Sequence, residues 1–330
     1  MQPIIDFHCD LLSFLAGDES RTLNDLELGC ALPHMKAGGV KVQVCAIYTD
    51  VVPDSPQRAL NQAQIFKDLP KAYPGEIVHH HALSNWEEAA TRDEITVIAS
   101  IESATGLANH DQPIAEAISN LDKLIALTGP IAYIGITHHK ANRFGGGNNE
   151  PGPLTADGKV LIDAMAERGI PLCLSHTSDA LAETALEYID AKGYDLPVLA
   201  SHSNYRAICS EVRNLPDHLA KSVLARGGVI GLNLLRKYLD PDKASGLYEH
   251  IDYARELGVG EGVVFGVDYF YYQDMPVELR AGREPYFLPE FDKATCYPTI
   301  MEELVGRYGN DFAQGVAWDR GLKFLKRITD

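Results

Sequence analysis

Eight short apolar runs rich in β-branched residues recur along this 330-residue chain, and they restrict its fold more than any other feature. The stretches between them have helical periodicity and are punctuated by Gly, Pro or Asn. The runs lie at residues 4–8, 42–48, 95–101, 131–137, 170–175, 198–201, 229–233 and 263–267. Strands that are apolar on both faces and alternate with helices form a buried parallel sheet.

Eight strand-helix units in a chain of this length predict an α/β fold, a (β/α)8 TIM-type barrel with extended βα loops. A doubly wound sheet is the alternative architecture, but no Gly-rich phosphate-binding fingerprint follows the first run. We therefore predict a single barrel domain over residues 1–330. Its surplus length lies in three loops that are candidate lids over the catalytic face, at residues 50–57, 143–158 and 269–298.

The acidic composition excludes several classes of partner. The chain has 29 Lys and Arg against 46 Asp and Glu, a net charge of −17, which repels the phosphates of nucleic acids and acidic membrane surfaces. No run of about 18 apolar residues is present, so we predict no membrane span. The six cysteines are dispersed without a CxxC pair, and no signal peptide opens the sequence. On the sequence as written we expect free thiols and a cytoplasmic protein, with an export signal outside this sequence left open.

Titratable side chains stand at the carboxyl ends of six of the eight runs. They are Asp6, His8 and Asp10 at the end of the first run, then Glu102, His138, His139, His176, His202 and Asp268. Active sites of barrels are built from these strand ends, so the side chains should converge. Residues i and i+2 of a strand share a face, so His8 and Asp10 point the same way.

Three histidines, His8, His176 and His202, each end a different predicted strand. A lone histidine is more often a hydrogen-bonded core or surface residue, and that interpretation is the alternative for each of them singly. Their joint position at strand ends favours metal ligation instead, since imidazole and carboxylate are the usual zinc ligands of hydrolytic sites.

These residues make the chain resemble the membrane dipeptidase family, metallopeptidases of the amidohydrolase-like barrels. The most specific motif is Asp-x-His-x-Asp in the first strand, where related hydrolases have His-x-His. Further family motifs are matched over nearly the whole chain by Ile101-Glu102, Ile136-Thr137-His138, Leu154-Thr155 with Gly158, Leu174-Ser175-His176, Ala200-Ser201-His202-Ser203, Arg213-Asn214 with Asp217, and Gly266-Val267-Asp268. The resemblance implies a dipeptide substrate and, as in many members, a homodimer.

The resemblance also implies two Zn²⁺ ions per chain. One would be held by His8, Asp10 and Glu102. The other would be held by Glu102, His176 and His202, so that the Glu102 carboxylate bridges the pair. Two such ions lower the pKa of a shared water to about 7, and the resulting bridging hydroxide would attack the peptide carbonyl of a dipeptide.

Three further roles follow from the resemblance. His138 would stabilise the developing oxyanion, and Asp268 would move the proton from the water to the leaving amine. With Glu102, these are the expected catalytic residues. Arg213 would pair with the C-terminal carboxylate of the substrate. His138 and Asp268 are also expected to contact the substrate. A surface salt bridge is the alternative interpretation of Arg213.

Two other functions stay open. Another amidohydrolase could act on small N-acyl amino acids or lactams, and a catalytically silent barrel could bind zinc or a peptide. Neither His138 nor Asp268 is an expected zinc ligand, and a pure binding site would not need both. Two departures from the family flank the site and leave the substrate side chains undetermined: Ser103-Ala104 replaces Gly-Gly, and Tyr269-Phe270-Tyr271 replaces Phe-Asp-Gly.

Overall fold

A computed structural model describes residues 2–329 and contains nine β-strands in one parallel sheet. They are β1 Ile4–Cys9, β2 Val40–Ile47, β3 Ile77–His79, β4 Ile95–Ile101, β5 Ile131–Gly135, β6 Leu172–Cys173, β7 Val198–Leu199, β8 Ile230–Leu232 and β9 Val263–Phe265. Eight coincide with the predicted runs. The additional strand, β3, pairs only with the first half of β4 and lies off the main sheet order.

The main sheet closes into a barrel. Its order is β7-β6-β5-β4-β2-β1-β9-β8. The two ends meet through a parallel bridge between Ala200 and Ile230. The amide of Ala200 donates to the carbonyl oxygen of Val229 at 2.9 Å, and the amide of Gly231 donates back to Ala200 at 2.8 Å. The predicted (β/α)8 barrel is therefore confirmed.

Two glycines make this closure possible. A Cβ atom on Gly231 would lie 1.9 Å from the carbonyl oxygen of Ser201, and one on Gly266 would lie 1.8 Å from the same atom. No side chain fits at either position, because the strands approach each other by backbone alone. The glycine that precedes Asp268 by two residues is thus a requirement of packing.

The helices cover the outside of the barrel. They are α1 Leu11–Gly17, α2 Leu32–Gly38, α3 Ser55–Ala72, α4 Glu88–Thr91, α5 Ile114–Thr128, α6 Ala156–Glu167, α7 Asp179–Lys192, α8 Asp217–Ala225, α9 Gly246–Glu256, α10 Val277–Arg280, α11 Tyr297–Tyr308, α12 Asn310–Gln314 and α13 Arg320–Thr329, with a π-helical segment Gly315–Asp319 before the last. Within residues 2–329, none of them has both the length and the apolar character that crossing a bilayer demands.

Helix α7 illustrates how the sequence sets such a helix. It begins where the hydroxyl oxygen of Ser178 accepts the amide of Leu181 at 3.2 Å, and it ends at Gly193 with φ of 68°. Leu181, Ala185 and Ile189, spaced four residues apart, are buried against the barrel. Capping and periodicity therefore agree on the same element.

The three long loops all follow the carboxyl ends of strands, after β2, β5 and β9. In the last of them Phe270 packs edge-on against Tyr286 at a centroid distance of 5.1 Å, and Asp274 forms an ion pair with Arg21. The loop after β5 is closely packed, since a Cβ on Gly146 would lie 2.0 Å from the amide of Gly152. These loops surround the mouth of the barrel.

A buried histidine on α9 connects two loops at this end of the barrel. The Nε2 atom of His250 donates to the carbonyl oxygen of Leu239 at 3.0 Å, and its Nδ1 atom accepts the amide of Tyr205 at 3.3 Å. One nitrogen must donate and the other must accept, so only the neutral ring satisfies both bonds. Burial lowers the pKa of His250 to about 4.

We predict a pH-dependent stability from this residue. In the unfolded chain the histidine binds a proton near pH 6.5, whereas the folded protein resists protonation until about pH 4. Protons therefore favour unfolding, and the free energy of unfolding should fall as the pH is lowered through this window. Urea midpoints of wild type and His250→Gln, measured from pH 7 to 4, should show a shallower decline in the variant. Parallel pH dependences would contradict this assignment.

Candidate metal centre

The carboxyl ends of the strands bring the predicted ligands together. Three overlapping sets have ligand atoms within 4.8 Å of one another: His8, Asp10 and Glu102; Glu102, His176 and His202; and His8, His202 and Asp268. A fourth set of His138, His139 and His176 lies beside them. The first two sets are the ones named from the sequence, and they share Glu102.

Glu102 lies at the centre of this cluster. Its Oε1 atom lies 3.2 Å from Nε2 of His176, 3.4 Å from Nε2 of His202, 3.6 Å from Nε2 of His8 and 3.8 Å from Nε2 of His138. Its side chain is 5% exposed. One carboxylate oxygen thus faces ligands of both sets, which is the arrangement that a bridging ligand needs.

The ring of His8 is oriented by a tyrosine behind it. The hydroxyl of Tyr133 donates to the carbonyl oxygen of Phe7 at 2.9 Å, so its oxygen accepts Nδ1–H of His8 at 2.8 Å. Nε2 of His8 is then the unprotonated nitrogen and faces the cluster. The ring of His202 is held in a similar way, with Nδ1 2.7 Å from the hydroxyl of Ser201.

Three buried polar atoms of the cluster have no hydrogen-bond partner within the described chain. They are Nε2 of His8, Oδ1 of Asp10 and Nδ1 of His176. An unpartnered buried polar atom is unusual in a folded protein and needs a physical explanation. For His8 and Asp10, which belong to one ligand set, a bound cation supplies it, and nitrogen and carboxylate oxygen suit zinc. The residues therefore fit the metal that the family implies.

The shifted pKa values of the cluster residues also favour a bound cation. Burial, followed by repulsion from the neighbouring carboxylates, raises the pKa of Asp10 and of Glu102 well above the ordinary range. Burial raises the pKa of Asp268 to about 7. Burial also lowers the pKa of His8 to about 3. Unionised carboxyls are poor ligands, and a dication would reverse this penalty by favouring the carboxylate forms.

The backbone is strained at two residues of this cluster. His176 has φ of 66° and Asp268 has φ of 74°, and in residues 2–329 no other residue except glycine has positive φ. This conformation is costly for residues with a Cβ and persists where surrounding contacts impose it. At both positions it turns a side chain into the site three residues after a strand ends.

The first aspartate of the Asp-x-His-x-Asp motif stands outside the ligand sets. Oδ1 of Asp6 accepts the amides of His8 at 3.2 Å and Val267 at 3.1 Å. Its Oδ2 atom accepts the hydroxyl of Tyr297 at 2.8 Å. Burial raises its pKa to about 7. Asp6 therefore ties β1 to the end of β9 and holds His8 and Asp268 in register.

Arg213 is buried and has no carboxylate partner. Its Nη1 atom donates to the hydroxyl of Ser203 at 2.8 Å and its Nη2 atom donates to the carbonyl oxygen of His202 at 2.7 Å. Its guanidinium carbon lies 5.6 Å from the centroid of the Tyr238 ring. Within the described chain no Asp or Glu side chain forms an ion pair with Arg213, and its Nε atom has no hydrogen-bond partner. Arg213 is thus not the surface salt bridge that the alternative interpretation requires.

Two residues near the cluster were not predicted from the sequence. Asn233 follows β8 and donates from Nδ2 to Oδ2 of Asp268 at 2.8 Å. Tyr48 follows β2, and its hydroxyl lies 3.5 Å from Nδ1 of His138. Tyr48 ends the apolar run at residues 42–48, and Asn233 ends the run at residues 229–233. These are the two runs whose carboxyl ends carry none of the predicted site residues. Their strand-end position was the available signal, and all eight barrel strands contribute to the site.

Comparison with known proteins gives the family. The family model described as membrane dipeptidase (peptidase family M19) matches residues 1–330. Dipeptidase 3 of Mus musculus is 24% identical over 99% of this chain, which spans only 64% of the mouse protein.

Solved structures support the fold. A metallopeptidase from Rhodobacter sphaeroides, bound to a phosphinate mimic of the dipeptide L-Ala-D-Ala, superposes with a TM-score of 0.83 at 19% identity over 99% of both chains. The probable dipeptidase PvdM from Pseudomonas aeruginosa superposes with a TM-score of 0.78 at 16% identity, covering 99% of this chain and 95% of that one. At these identities the likeness supports the barrel alone. Because the family model matches from the first residue to the last, this chain belongs to the membrane dipeptidase family, peptidase family M19.

Proposed function

We propose that this chain is a dinuclear zinc dipeptidase. The observation that carries the proposal is the pair of ligand sets that share Glu102, next to a buried guanidinium without a carboxylate partner. Family membership supports metal-dependent dipeptide hydrolysis. So does the dipeptide mimic bound to the Rhodobacter relative, whose fold is the same.

The proposed ligands divide into two sets with a common member. His8 and Asp10 would hold one zinc ion, and His176 and His202 would hold the other. Glu102 would bind both ions. Zinc ions bound there would lower the pKa of a water molecule to about 7 and polarise the scissile carbonyl. The described residues then have to orient the substrate and carry the proton.

Asp268 is the residue that we assign to proton transfer. Its Oδ1 atom lies 3.5 Å from Nε2 of His8, so it faces the ligand cluster from the side of β9. A carboxylate at this position can accept a proton from water and donate it to the leaving amine. His138, with a side chain 22% exposed and Nε2 3.8 Å from Glu102, would donate a hydrogen bond to the carbonyl oxygen as negative charge develops.

Arg213 is the residue that we assign to the substrate carboxylate. Its guanidinium is buried beside the backbone of His202, one of the proposed ligands. A buried cation without a counter-ion attracts an anion of the substrate. Anchoring a C-terminal carboxylate beside the backbone of a proposed ligand would favour substrates whose scissile bond lies one residue from that carboxylate, as it does in a dipeptide.

The same contact keeps a second function open. An N-acyl amino acid also presents a carboxylate to Arg213 next to a scissile amide. A panel of dipeptides, N-acyl amino acids and β-lactams distinguishes these substrates, and a silent zinc- or peptide-binding barrel would hydrolyse none of them. The single-domain organisation, the homodimer and the cytoplasmic location stay predictions.

Of the predictions that test the proposed function, the first concerns metal content. If two ions share Glu102, purified protein should contain about two zinc equivalents per chain, and zinc should restore activity lost to chelation. His8→Ala and His176→Ala should each lower the zinc content without unfolding the barrel. His218→Ala, at an exposed histidine paired with Glu183, is the control. Full activity in chelated protein would exclude the dinuclear model.

The second prediction concerns Arg213. Arg213→Ala should raise KM for dipeptides by roughly 10- to 100-fold, because charge-assisted hydrogen bonds to a carboxylate are each worth about 1.5 to 3 kcal/mol. Arg213→Lys keeps the charge but loses the planar fork, so it should recover only part of the loss. Dipeptides amidated at the C-terminus should be poor substrates of the wild type. Equal turnover of free and amidated dipeptides would remove the proposed anchoring role.

The third prediction concerns Asp268. Asp268→Asn keeps the size of the side chain but removes the base, so kcat should drop by about 10² to 10⁴ while zinc content is retained. Zinc analysis alongside steady-state kinetics checks both parts. Loss of zinc together with activity would make Asp268 a ligand and His138 the next candidate for the proton carrier. Retention of both would refute the assigned chemistry.

A further inference from the structure

The amide of Asn233 has its orientation set by its neighbours. The side chain is fully buried after β8. Its Oδ1 atom accepts the amide of Leu235 at 2.8 Å. Because a backbone amide can only donate, the oxygen must face Leu235 and the NH₂ group must face Asp268. Nδ2 of Asn233 therefore donates to Oδ2 of Asp268 at 2.8 Å.

The backbone of Asn233 is held as firmly as its side chain. Oδ1 of Asn204 accepts the amide of Asn233 at 3.1 Å, and Nδ2 of Asn204 donates to the carbonyl oxygen of Asn233 at 2.8 Å. Nδ2 of Asn204 also donates to the carbonyl oxygen of Tyr238 at 3.1 Å. Asn233 thus makes two backbone hydrogen bonds with Asn204 and two side-chain hydrogen bonds, with Leu235 and Asp268. These four bonds immobilise a buried residue that is not itself a proposed metal ligand.

The contact determines which oxygen of Asp268 is available to the site. Oδ2 is occupied by the N–H of Asn233, and Oδ1 lies 3.5 Å from Nε2 of His8. Asp268 also forms a possible ligand set with His8 and His202. Without the bond to Asn233, the carboxylate could turn and offer Oδ2 as well as Oδ1 to a bound ion, so that Asp268 would act as a chelating ligand instead of a base. The bond to Asn233 opposes that rotation.

We propose that Asn233 is a positioning residue that holds Asp268 as the proton-transfer group and keeps Oδ2 of its carboxylate turned away from the metal site. The proposal rests on the dipeptidase function proposed above. The proposal explains why β8 is followed by the buried amide of Asn233, whereas six of the other seven barrel strands are followed by titratable groups. Asn233 acts through the carboxylate of Asp268, since within residues 2–329 it forms no hydrogen bond with the proposed zinc ligands or with Arg213.

The test is a double-mutant cycle on the zinc-loaded enzyme. Asn233→Leu should lower kcat by roughly 10- to 100-fold, with KM for a dipeptide changed less than about twofold and zinc content unchanged. In the Asp268→Asn background the same substitution should have almost no further effect on kcat, because the group through which it acts is already gone. Multiplicative losses in the double variant would overturn the proposal.

A spectroscopic readout is independent of turnover. The visible spectrum of cobalt-substituted Asn233→Leu should differ from that of the wild type as Asp268 turns toward the metal, and the difference should vanish when Asp268→Asn is added. Identical spectra for Asn233→Leu and wild type would overturn the proposal. If the leucine variant does not fold, Asn233→Ala replaces it. That substitution removes the N–H donor to Asp268 without placing a second carboxyl group beside it, where the two carboxyls would share a proton.

A matched control separates positioning from general destabilisation. Asn120 on helix α5 is also a buried asparagine. Its Nδ2 atom donates to the carbonyl oxygen of Leu107 at 2.8 Å. Asn120→Leu should lower the unfolding temperature while kcat and the cobalt spectrum stay at wild-type values. A wild type that hydrolyses no dipeptide would refute the proposed function, whereas an active wild type with a normal Asn233→Leu variant would refute only the positioning role.

Discussion

The burial of one carboxylate among four imidazoles is the interaction on which the site depends. Glu102 has Nε2 atoms of His8, His138, His176 and His202 within 3.8 Å of a single oxygen. Without a cation, burial drives these groups toward their neutral forms and leaves ligand atoms unpartnered. A divalent ion removes both costs at once, because it favours ionised carboxylate and neutral imidazole together.

A scaffold of ordinary hydrogen bonds keeps this arrangement in place. Asp6 joins the two strands that carry His8 and Asp268, and Tyr133 selects the nitrogen of His8 that faces the cluster. Asn233 does the same for the oxygens of Asp268. Such supporting residues are fully buried and chemically plain, yet they decide which atom of each functional group is exposed to the reaction.

Much of the fold could be predicted because barrel strands are short, apolar on both faces and regularly separated by helices. The three-residue strand β3 was missed, since so short a segment carries little pattern and pairs at one end of β4 only. The ligand sets followed from strand-end histidines and carboxylates. The left-handed backbone of His176 and Asp268 did not, because it is imposed by neighbouring strands.

Local sequence alone therefore determined the barrel class, the strand-end position of the ligands and the family that they indicate. Tertiary structure decided which atoms meet. The sequence is compatible with a surface ion pair at Arg213, whereas in the structure this side chain is buried without a carboxylate partner. Nothing in the sequence indicates that Asn233 contacts Asp268, and this contact results from the adjacent positions of β8 and β9. The physical reason is that periodicity reports which face a residue occupies, whereas hydrogen bonds between separate loops depend on distances that only strand closure sets.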